Sequence, residues 1–268
     1  MIRDITIGQY YPAKSKIHSL DPRVKFIGTI VFIVSMFCFG DTFFGYILTT
    51  GYIAAVIALG KLPVKFIFKG LKPILFLLLF TMCFNLLLTP GDVTLVSFGI
   101  INISDQGIKM ALFMGLRLAS LVMGTSLMTF TTTPNQLTDA MERIFAPLKL
   151  IKVPVHEMAM MMSIALRFIP ILIEETDKIM KAQQARGADF ESGNVFARAK
   201  SLIPILVPLF VGAFRRAGDL AMAMEARCYN GGEGRTKMKP LKYTSGDFAA
   251  YGVIVLYLAA VITLGKIL

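Results

Sequence analysis

The chain has only two histidines and three cysteines in 268 residues. Cys38, Cys83 and Cys228 show no CxxC or disulfide-like spacing, so no redox pair is expected, and the two inside apolar runs read as small hydrophobes. His156-Glu157-Met158-Ala159-Met160 begins like the zinc-protease word H-E-x-x-H, but Met160 stands where the second ligand belongs and His18 is the only other histidine. A metalloprotease is set aside, and no metal site is expected. Gly231-Gly232-Glu233-Gly234-Arg235-Thr236 lacks the G-x-x-x-x-G-K-[ST] spacing and follows a helix rather than a strand, so no nucleotide site is encoded. The N-terminus has no short apolar core before a small-residue cleavage site, and no removable signal peptide is expected. Charge is nearly missing from the long apolar runs. A self-contained transporter or channel would need polar groups there and an intramembrane enzyme a catalytic pair, so both stand as rival readings with little behind them.

What is present is apolar surface. Hydrophobic residues make up 55% of the chain and the mean hydropathy is +0.66, beyond the range of ordinary soluble domains. The chain reads as an all-α integral membrane protein, with about five transmembrane helices and long amphipathic cytoplasmic helices. The spans are expected at 26–40, 43–60, 73–91, 110–130 and 248–265. The net charge is +11, and the basic residues are sorted: five fall in 1–25, four in 61–72 and sixteen in 131–243. Positive charge marks the cytoplasmic side of a bacterial cell membrane. The N-terminus and 131–243 are therefore placed inside, with 92–108, a short hairpin or interfacial element, and the C-terminus outside. Three sections follow: a four-helix membrane bundle (1–130), a coupling section (131–243) and a last span (244–268).

The coupling section carries the chemistry. From Val155, the positions Met158, Met162, Ala165, Ile169, Leu172, Thr176, Ile179 and Gln183 recur at three or four, the period of one helical face. Ile203, Leu206, Phe210, Phe214, Ala217, Ala221 and Met224 do the same within a second helix expected from Ala197. Each helix ends in the same word, A-x-x-A-R plus a small residue: Ala182, Ala185, Arg186 and Gly187, then Ala223, Ala226, Arg227 and Cys228. Arginine in a last turn and glycine just beyond it are ordinary helix-end features. Two copies, each closing a long amphipathic helix, also fit a paired grip: small alanines admit the tip to a groove, and arginine supplies a planar donor fork for carboxylates. The methionines 158 and 160–162 read either as packing or as an adaptable contact surface. Arg117, the one charge within a span, reads either as packed in the bundle or as functional.

At these residues the chain resembles the transmembrane T component of energy-coupling factor vitamin transporters, the scaffold of an ATP-binding-cassette group. The resemblance also rests on Pro12-x-x-Ser15-x-x-His18-x-Leu20-Asp21-Pro22-Arg23-x-Lys25 and on Val153-Pro154-Val155-His156-Glu157. One departure is Cys228, where the family's word has glycine; its Cβ disfavours a left-handed cap. The resemblance implies two ATPase subunits that receive the two tips, with ATP and magnesium on those subunits and no cofactor in this chain. It also implies a substrate-binding S component in the membrane. The stripe residues Met158, Met162, Ala165, Ile169, Phe210 and Phe214 are the candidate surface for it. No nucleic acid partner and no catalytic residue are expected.

Overall fold

A computed structural model describes residues 10–38, 42–90, 94–98, 101–190, 194–232, 234 and 238–267. Asp92 and parts of the first apolar run and of the glycine-rich stretch after Tyr229 lie outside them. The described residues form helices with a single two-stranded antiparallel hairpin, β1 (Thr94–Phe98) and β2 (Ile101–Ser104), at the expected external element. Six helical stretches are long and apolar enough to cross a membrane. Two of them are the long helices of the coupling section, which the sequence reading assigned to the cytoplasmic side because charges break their apolar runs. The first expected span, α2 (Pro22–Cys38), is only 17 residues long and falls outside the six.

By backbone proximity the described residues divide into two compact units, one within 8–140 and 241–268, the other within 141–240. The first holds α1 (Lys16–Ser19), α2, α3 (Phe43–Gly60), α4 (Val64–Leu71), α5 (Leu75–Leu88), the hairpin, α6 (Asp105–Thr131) and α11 (Ser245–Ile267). Its core joins Phe32 and Met36 of α2, Tyr46 and Ile53 of α3, Leu127 and Phe130 of α6, and Tyr257 and Val261 of α11. A Cβ at Gly124 would run into the Phe32 ring, so glycine lets α6 approach α2 closely. Tyr257 Oη lies 3.0 Å from Ser35 Oγ and 3.4 Å from Thr49 Oγ1, giving this buried phenol partners inside the core. The lysine-rich segment 61–72 is helical over α4. Buried Ile67 sits between exposed Phe66 and Phe68, so the segment is one-sided, as an interfacial helix requires.

The polar N-terminal signature is a clasp. Ser15 caps α1 and lies 2.7 Å from His18 Nδ1. Asp21 and Asp247 are both buried. Asp21 receives Arg23 through Nε at 3.0 Å and Nη2 at 2.7 Å, while its own backbone N–H donates to Asp247 Oδ1 at 2.7 Å. Asp247 Oδ2 accepts the Thr244 N–H at 2.7 Å and its hydroxyl at 2.8 Å, so the carboxylate in the first turn of α11 reaches back to the residue before the helix. Arg23 lies over the Tyr243 ring at 3.8 Å, a cation–π contact. The clasp thus fixes the start of α2 to the start of α11.

The segment α7 (Pro134–Ile144) starts at Pro134, where a missing N–H does no harm. Thr133 and Gln136 cap each other, at 3.1 and 3.3 Å. The helix stops ahead of Pro147, giving way to a 3-10 turn over Ala146–Ile151. The second unit is built on α8 (Val155–Ala185), α9 (Val195–Ser201) and α10 (Ile203–Ala226). The second long helix, expected from Ala197, is broken at Leu202, because Pro204 sits in the first turn of α10 and starts a new helix.

Candidate functional site

The two repeated words adopt one conformation. At the end of α8, Gly187 N donates to Gln184 O at 2.9 Å and Ala188 N to Gln183 O at 3.0 Å. At the end of α10, Cys228 N donates to Glu225 O at 2.8 Å and Tyr229 N to Met224 O at 3.0 Å. Both ends are Schellman caps, with Arg186 and Arg227 at the equivalent cap position and the next residue left-handed: φ is +88° at Gly187 and +55° at Cys228. The disfavoured cysteine therefore takes up the cap after all, held by the same two hydrogen bonds. Burial matches as well. Ala182, Ala185, Arg186 and Gly187 are exposed, as are Ala223, Ala226, Arg227 and Cys228, while Gln183 and Met224 are half-buried.

The helices that carry these tips run antiparallel. Gln183 Nε2 reaches Pro204 O at 3.4 Å, Glu175 pairs with Arg216, and a Cβ added at Gly212 would lie 3.1 Å from Glu175 Oε1. Partners thus move down α8 as they move up α10. The tip of α8 lies beside the start of α10, and the tip of α10 lies about twenty residues further along that axis, roughly 30 Å at ~1.5 Å per residue. The two exposed, arginine-bearing ends share one cap geometry and are held apart along the helix pair.

The first stripe divides. Leu172, Thr176, Ile179 and Gln183 are half-buried, whereas Met158, Met162, Ala165 and Ile169 are exposed. On α10 Phe210 and Phe214 are 59% and 75% exposed, and the half-buried seam runs instead through Leu209, Gly212, Ala213, Arg216 and Leu220. The six stripe residues therefore form outward apolar surface on their helices and leave the seam to leucines, small residues and the Glu175–Arg216 pair. Sequence reasoning missed this seam: Arg216 falls off the apolar stripe, and only its Glu175 partner explains it. His156, dismissed as a metal ligand, places Nδ1 2.9 Å from Glu142 Oε1. Arg117 is half-buried in α6.

The described residues thus define a multi-pass membrane protein with two equivalent arginine caps and an exposed apolar face. Residues 13–238 match the CbiQ family, described as cobalt transport protein. The chain is 54% identical to the energy-coupling factor transporter transmembrane protein EcfT of Ruminiclostridium cellulolyticum, across 98% of this chain and 97% of the relative. It is 54% identical to that of Clostridium kluyveri, across 93% of each, and 47% identical to that of Bacillus subtilis, across 92% of this chain and 93% of the relative. The chain belongs to this family: it is a T component of an energy-coupling factor transporter.

Proposed function

We propose that this chain is the mechanical link of an importer, coupling ATP hydrolysis on two partner ATPase subunits to uptake of a vitamin or other micronutrient held by a separate S component. Arg186 and Arg227 are the anchors, each with its flanking alanines and its cap residue entering one ATPase groove. Closure of the ATPases around ATP and magnesium would draw the two tips together. The antiparallel helices would then transmit that motion to an S component resting on Met158, Met162, Ala165, Ile169, Phe210 and Phe214. The chain performs no catalysis in this scheme.

The observation that carries the reading is the matched pair of exposed caps at opposite ends of one helix pair. Its test is co-purification of the ATPases and vitamin uptake in four variants. Arg186→Glu and Arg227→Glu should each weaken assembly about thirtyfold, since a central arginine anchor contributes ~2 kcal/mol or more. The double variant should abolish both readouts, because a single tip loses the gain of bivalent attachment. Arg198→Glu, a nearby control exposed on α9 and outside the two words, should change neither. A double variant that still binds ATPases and transports would reduce the words to ordinary helix ends.

The sorting of basic residues supports a cytoplasmic N-terminus and coupling section and an external C-terminus. In a cysteine-free background, single cysteines labelled from outside intact cells should react at position 97 and not at 189. The opposite pattern discards this orientation.

A further inference from the structure

Two hollows in the unit formed by 8–140 and 241–268 meet at Leu59. One is an apolar cavity of about 220 Å³, walled by residues such as Phe32, Val56, Leu127 and Ile254, and Lys25 is the sole charged group among its described lining residues. Lys25 Nζ donates to the carbonyls of His18 at 3.1 Å and Thr131 at 2.9 Å, which occupy two of its three donors. The other hollow, about 650 Å³, is lined by Lys14, Lys16 and Lys61 together with His18, and no carboxylate is among its lining residues. Lys61 closes α3 as the left-handed residue of a Schellman cap, with φ +50°, its N–H on Ala58 O at 3.2 Å and that of Leu62 on Ile57 O at 3.3 Å, which fixes its place at the edge of this cleft. The acid closest in sequence to this cleft, Asp21, is already taken by Arg23.

We propose that the two hollows form one binding site for an anionic phospholipid, its acyl chain in the apolar cavity and its phosphate among Lys14, Lys16 and Lys61. A small anion alone would leave the apolar cavity unfilled. A zwitterionic lipid would leave three ammonium groups without a net counter-charge. In the orientation given above the basic cleft opens at the cytoplasmic leaflet, where anionic headgroups gather and basic pockets between helices bind them. The chemistry of the site does not depend on that orientation.

The test is native mass spectrometry of the full chain in detergent, titrated with phosphatidylglycerol and with phosphatidylcholine of the same acyl chains. Wild type should hold one phosphatidylglycerol in preference to phosphatidylcholine by about tenfold or more, since each lysine near an anionic headgroup is worth ~1 kcal/mol, roughly fivefold. The variant with Lys14, Lys16 and Lys61 all changed to Gln should lose that preference. Ala55→Phe, which intrudes on the apolar lining, should weaken both lipids. Independently of any variant, raising the salt should erode the wild-type preference, because exposed charges are screened. Excess glycerol phosphate should fail to displace the lipid. Equal binding of the two lipids by wild type, a preference that survives the triple substitution, or displacement by glycerol phosphate overturns the proposal.

Discussion

Among the described residues, the unit comprising 8–140 and 241–268 buries Phe32, Met36, Tyr46, Phe130 and Val261 along with other apolar side chains, whereas in 141–240 only Val155 and Ile205 are buried to that degree. The first unit has a packed core and a clasp of buried carboxylates inside an exposed apolar shell that includes Phe37, Phe76 and Leu256. The second consists of two long helices joined along one seam, with most of their apolar surface on the outside. A helix pair with so little interior cannot derive its stability from its own packing, so its surface must be covered by bilayer or by protein. Damage to the first unit should therefore register as lost stability, and damage to the second as lost partners.

The largest effect expected on that division is at the apolar face of the long helices. Phe210→Asp or Met162→Asp places a carboxylate on surface that a membrane partner would cover, where an unpaired charge costs ~2.5 kcal/mol or more, close to a hundredfold in affinity. Co-purification should show the S component lost and the ATPases retained. Loss of both together would show that this face holds the unit itself, and the division would fail.

Next in size is the clasp. Asp247→Ala strands the buried Asp21 N–H without its acceptor and removes the carboxylate that holds the exposed Thr244 at the start of α11. A stranded buried donor costs ~1–3 kcal/mol and a lost helix cap ~1 kcal/mol, so a net loss of ~2–3 kcal/mol is expected. A thermal melt of the purified chain should drop by several degrees, while ATPase binding per folded molecule stays unchanged. An unaltered melt would mean that the clasp does not hold the bundle.

The seam comes third. Glu175→Ala should cost ~1–2 kcal/mol by leaving the half-buried Arg216 without its carboxylate, whereas Glu175→Leu combined with Arg216→Met should cost less than either single change, since a paired apolar replacement strands no charge. Hydrogen exchange in the middle of α8 reads the difference. Additive losses would show that the pair does not join the two helices.

Much of this was legible in the sequence, and the limits are physical. The spans, the hairpin and the two long helices follow from apolar runs and local periodicity, which act over a few residues. The repeated word exposed both tips, because caps are encoded locally. What the sequence hid was distant or one-sided. Asp247 is 226 residues from Asp21, and nothing in either neighbourhood announces the other. The antiparallel seam depends on Glu175 meeting Arg216, two residues that local patterning assigns to solvent. The α4 helix was concealed because its lysines resemble a turn until the alternation of buried Ile67 with exposed neighbours is seen. Pro204 could have marked the break at Leu202, since proline near a helix start is a common signal.

The smallest effect compares the two tips with each other. Both caps need a left-handed residue after the arginine, and only one of them has glycine there. Cβ crowding in that region costs roughly 1 kcal/mol for an ordinary side chain, and glycine returns part of that gain through its greater freedom in the unfolded chain. Cys228→Gly should therefore tighten the cap of α10 by about 0.5 kcal/mol, and Gly187→Cys should loosen that of α8 by about the same amount. Cys228→Val should do worse than either, because a β-branched residue tolerates positive φ poorly. Amide exchange at Cys228 and Tyr229, and at Gly187 and Ala188, measures the caps directly through the hydrogen bonds that define them. With the cysteine and glycine exchanged between the tips, the exchange rates should swap while ATPase binding stays within about twofold, because the arginine rather than the cap residue supplies the anchor. A larger loss of binding in Cys228→Gly would assign the cysteine a contact of its own in the groove and make the two tips unequal partners.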